Sequence, residues 1–168
     1  MPTADPRARA RDLRTRLNGP GVDVVAAAED ARLIFAERGD LQRVLWLALE
    51  IGGYGALTDA VPLHLVLGIA EGDRLARQVA AYRTQVGFRW MTQPASRIAH
   101  FFVEPLAELR AAAERVTKAG AAESVELTFG PHAGRPDYPT SAEFSADVFQ
   151  RILLGFTATL HLHLGDVA

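Results

Sequence analysis

Residues 157–165 read TATLHLHLG. Ala158, Leu160, Leu162 and Leu164 alternate with Thr157, Thr159, His161 and His163. Alternation with period two sends successive side chains to opposite faces of an extended chain, so the stretch predicts an amphipathic strand. A second region points the same way. After Gly87, FRWMT sets Phe88, Trp90 and Thr92 against Arg89 and Met91, and RIAHFFV sets Ile98, His100 and Phe102 against Ala99, Phe101 and Val103. Gln93-Pro94-Ala95-Ser96 between them is turn-like, which makes residues 87–103 a β-hairpin. SVELTF adds a strand, with Val125, Leu127 and Phe129 on one side.

Helical patterns fill the remainder. Asp5 suits a cap and Pro6 the first helical position, and Asn18-Gly19-Pro20 ends that helix. It is mostly Arg and Ala with only Leu13 and Leu17 as an apolar seam, so residues 1–20 read as a peripheral Arg-rich helix or arm. Asp23 opens a second helix, with Val24, Ala28, Ala31 and Phe35 on one face and Gly39 at its end. Asp40 caps a third over 41–51, apolar all round in its second half and broken by Gly52-Gly53-Tyr54-Gly55. An element follows Thr58-Asp59, and Leu75, Val79, Tyr82 and Val86 mark a helix over 73–86. Pro105 starts a helix that ends at Gly120. Thr140 or Ser141 caps another over AEFSADVFQRILLGF, with Glu143 near the capping-box position. The succession is a helical N-terminal half followed by β-β-α-β-α-β. The expected class is α+β, one sheet of about four strands packed on helices, in a single domain spanning 1–168.

Composition excludes several classes. The 168 residues are 49% hydrophobic and 23% charged, as in ordinary globular chains. No cysteine is present, which removes disulfide scaffolds, thiolate zinc sites and Cys nucleophiles. The apolar run Val44–Leu49 is far short of the roughly 20 residues a membrane span needs. Residues 1–20 lack the apolar centre of a secretory signal, so the expected compartment is the cytoplasm. The excess of Arg over Lys, with abundant Ala, fits a GC-rich bacterial genome.

The net charge of −2 conceals blocks of alternating sign. Residues 74–97 carry Arg74, Arg77, Arg83, Arg89 and Arg97 and no acid, whereas residues 23–73 carry nine acids and three Arg. A winged helix-turn-helix over 41–103 would place Arg74, Arg77, Arg83 and Arg89 on a recognition helix and wing, against phosphates and guanine edges. An Arg-rich solvated face explains the same residues and takes precedence.

Two further constellations carry potential chemistry. On a strand, His161 and His163 would project from one face as two imidazole ligands of a metal ion. His64, His100, His132, Asp166 or Glu104 would be the source of a third ligand. His-x-His is a two-residue match, and a half-exposed pair on the outer face of an edge strand takes precedence. The loop GPHAGRPDYPT, residues 130–140, offers His132 for proton transfer and Arg135 for a carboxylate or phosphate, and a plain surface connection explains it at least as well. Glu50, at the end of an apolar helix, is either a partly buried acid–base group or, more ordinarily, a carboxylate that reaches solvent or pairs with an Arg such as Arg43 or Arg89.

No Walker loop, G-x-S-x-G elbow, H-E-x-x-H or EF-hand loop occurs, so neither a catalytic residue nor a cofactor is assigned. The expectation is a small binding or regulatory protein that acts through protein–protein contact. It would be a homodimer formed through the terminal strand or the helix at 141–155. The alternatives are the winged-helix DNA-binding regulator and a metal-dependent enzyme built on His161 and His163.

Overall fold

The computed structural model describes residues 5–54, 86–94, 97, 99–120, 123–128 and 141–168. Asp5 accepts a hydrogen bond from the Arg7 N–H and opens α1 (Pro6–Leu17). Asp23 accepts from the N–H groups of Val25 and Ala26 and opens α2 (Val24–Glu37). Asp40 accepts from the Arg43 N–H and opens α3 (Leu41–Gly52). Each carboxylate satisfies donors that the first helical turn leaves unpaired. Gly53 ends α3 with φ 87°, where a Cβ would stand 3.0 Å from the Val103 carbonyl oxygen. The α1 helix is firmly docked. Ala10, Leu13 and Leu17 are buried between α2 and the last helix.

A 3₁₀ turn, Gly87–Arg89, leads into β1 (Trp90–Thr92), which pairs antiparallel with β2 (Ala99–Phe101) in the register Met91↔His100. The expected hairpin is present, with shorter strands. After α4 (Leu106–Ala119), β3 (Ser124–Thr128) pairs antiparallel with β4 (Ser141–Ser145), placing Val125 opposite Phe144 and Leu127 opposite Ala142. The chain then forms α5 (Val148–Gly165). The class is therefore α+β. Its described strands form two separate two-stranded sheets and not one sheet of four.

The C-terminal third differs from the sequence expectation in two places. Residues 141–145, expected as a helix start, form a strand in which Ala142 and Phe144 point inward and Ser141 and Glu143 outward. A lone β3 would leave a row of backbone groups unpaired, and β4 supplies the partner. Residues 156–164, expected as a strand, are helical. Alternation at period two contains every fourth residue, so Leu160 and Leu164 fit both readings. Val148, Ile152 and Phe156 continue the four-residue spacing upstream, and all five are at most 1% exposed. A strand at the terminus would have isolated this run.

Among the described residues two apolar cores result, and α5 lines both. Phe156, Leu160 and Leu164 pack with α1, α2 and α3 around Phe35, Trp46 and Leu47. Val148, Phe149 and Ile152 pack with α4, β4 and Phe102. Four-residue spacing advances about 40° per step around a helix, hence about 160° from Val148 to Leu164. The buried stripe winds from one core to the other. Phe88, from the 3₁₀ turn, touches both cores and presses on α5 at Gly155. A Cβ at Gly155 would stand 2.3 Å from the Phe88 Cβ. Alanine is the better helix former by about 1 kcal/mol. The contact nevertheless reverses the sign: Gly155→Ala destabilises the fold by about 1–3 kcal/mol through overpacking. Urea unfolding checks this, and equal or greater stability for the variant would contradict it.

Candidate functional site

Among the described residues, a buried polar assembly lies where α3 meets the 3₁₀ turn. Glu50 and Arg89 are both fully buried. Arg89 Nε and Nη2 donate to Glu50 Oε2 at 2.9 and 2.6 Å. Its Nη1 donates to the carbonyls of Phe102 and Glu104 at 2.7 and 2.8 Å. Glu50 Oε1 accepts from Trp46 Nε1 at 3.1 Å and from the Tyr54 hydroxyl at 2.7 Å. The Tyr54 ring also lies against the guanidinium, 4.9 Å from centroid to Cζ. Helical spacing explains the local part, since Trp46 and Glu50 are four residues apart on one face of α3. Glu50 therefore pairs with Arg89, one of the two partners its sequence position suggested. Both carboxylate oxygens are engaged and closed off from solvent, so the arrangement is built to hold α3, the turn and residues 102–104 together.

This placement removes Arg89 from any nucleic-acid face. Arg74, Arg77 and Arg83, together with the element expected at 58–67 and all but the last residue of the helix expected at 73–86, lie outside the described residues, as do His64, His132 and Arg135. The two terminal histidines are corrected by the helix. Residues two apart on an α-helix point about 200° away from each other, so His161 and His163 do not share a face. His161 Nε2 lies 3.5 Å from Asn18 Nδ2. His163 packs edge-on against Trp46, with ring centroids 5.1 Å apart. Among the described residues, no group of three His, Asp or Glu side chains is placed to hold a metal ion. His100 packs edge-on against Phe102.

A surface depression of about 280 Å³ adjoins His163, lined also by Asp40, Arg43, Trp46 and Thr159. Arg43 divides its guanidinium between Asp40 and Asp166. Burial, and then the Arg43 charge, push the His163 imidazole below its ordinary pKa, with Asp166 and Asp40 opposing. The downward shift favours the neutral imidazole.

The outer side of α5 is the feature that a strand reading hides. Arg151, Leu154, Ala158, Leu162 and Gly165 are all exposed along it. Leu154 is 69% and Leu162 68% exposed. The 4-4-4-4 run beginning at Val148 was the sequence signal that could have revealed this face, because it fixes the helix and hence which leucines lie opposite the core. Among the described residues, no helix is long and apolar enough to cross a membrane. Compared with protein-family models, curated proteins and solved structures, the chain matches none.

Two predictions follow from the buried polar groups. Arg89→Met strands the Glu50 carboxylate and two carbonyls, and costs about 3–5 kcal/mol. Adding Glu50→Leu costs less than the sum of the two single changes, because the pair acts as a unit. Denaturant unfolding of the three variants checks this, and strict additivity would contradict the coupling.

Glu104 supplies the second. Its Oε2 is buried without a hydrogen-bond partner among the described residues, and burial outweighs the nearby Arg89 charge and raises its pKa. A raised folded-state pKa favours the protonated acid. Its contribution to stability is present below the ordinary glutamate range and lost as pH rises through the raised value. Glu104→Gln therefore raises the melting temperature at pH 7, and the gain shrinks as pH falls into that range. A pH-independent difference would refute this assignment.

Proposed function

We propose that this protein works without catalysis, through contact with another polypeptide, and that its basic unit is a homodimer joined through the outer face of α5. The observation that carries this reading is the exposure of Leu154 and Leu162 on the side of α5 that faces away from both cores. A helix at a protein surface ordinarily turns a polar face to water. Here the outward positions between Arg151 and Gly165 are two leucines and an alanine. Covering each leucine contributes about 1.5–3 kcal/mol by transfer out of water. Both ends of the helix are anchored in cores, so the face is presented with little ordering cost on association. A two-fold contact using the same patch on both protomers is the commonest arrangement for such a surface.

Size-exclusion chromatography with light scattering tests the reading. The expected mass is twice 18.2 kDa. Leu154→Glu combined with Leu162→Glu, both exposed positions, is expected to give the monomer with unchanged helical circular dichroism. A wild-type protein of 18.2 kDa at every concentration up to the millimolar range would overturn it.

A further inference from the structure

We draw no further inference here: the strongest candidate, the depression between α3 and the C-terminal end of α5 lined by Arg43, Trp46, Thr159 and His163, carries none, because Arg43 is already divided between Asp40 and Asp166 and what remains is the lowered pKa of the His163 imidazole alone.

Discussion

The structure depends on one helix being shared by two cores. Val148, Ile152, Phe156, Leu160 and Leu164 recur every fourth residue along α5, and each is almost wholly removed from water. A repeat of four is slightly longer than a helical turn, so the stripe winds and does not run straight. Its first part closes the core of α4 and β4, and its second part closes the core of α1, α2 and α3. Neither core is complete without it. The close approach of Phe88 at Gly155 lies where the stripe passes from one to the other, and explains a helix-interior glycine that propensity alone disfavours.

Along the edge of this apolar framework sits the Glu50–Arg89 pair. Desolvating two charges is expensive, and their attraction offsets that only when the remaining donors and acceptors are also satisfied. Here Trp46, Tyr54 and the carbonyls of Phe102 and Glu104 complete the set. Apolar contacts alone leave the approach of the turn to α3 loosely specified. Directed hydrogen bonds to one carboxylate fix it. Since Phe88 precedes Arg89, the pair also sets where Phe88 meets α5. The polar cluster and the shared helix are thus linked through adjacent residues.

The proposed contact surface is the other side of the same geometry. Once five positions at four-residue spacing are committed inward, Leu154, Ala158 and Leu162 have no choice but to face outward. The helix is held in a core at both ends, so in the proposed dimer the surface would be presented with little reordering. The proposed contact and the stability of the fold then depend on one helix phase, and a change that rotated α5 would alter both.

Local chemistry was legible in the sequence wherever a short-range signal was sufficient. Asp5, Asp23 and Asp40 mark their helices because a carboxylate satisfies amides two or three residues away. Gly53 ends α3 through its own backbone freedom, and the 87–103 hairpin follows from alternation around a turn. The pairing of Glu50 was legible only as one option among several, with Arg43 and Arg89 as example partners beside exposure to solvent. What tertiary structure decided was the state of residues 141–165. Ser141 and Glu143 resemble a capping pattern, yet Ala142 and Phe144 are needed to cover β3. Leu160, Leu162 and Leu164 alternate as a strand would, yet periods of two and four coincide at every second apolar position. Only the presence of two cores to be lined at once selects the helix, because a strand from 156 onward would leave Phe156, Leu160 and Leu164 without the surface they bury. Amino-acid order determined where elements begin and end by local hydrogen bonding; long-range burial determined which period the last stretch obeys.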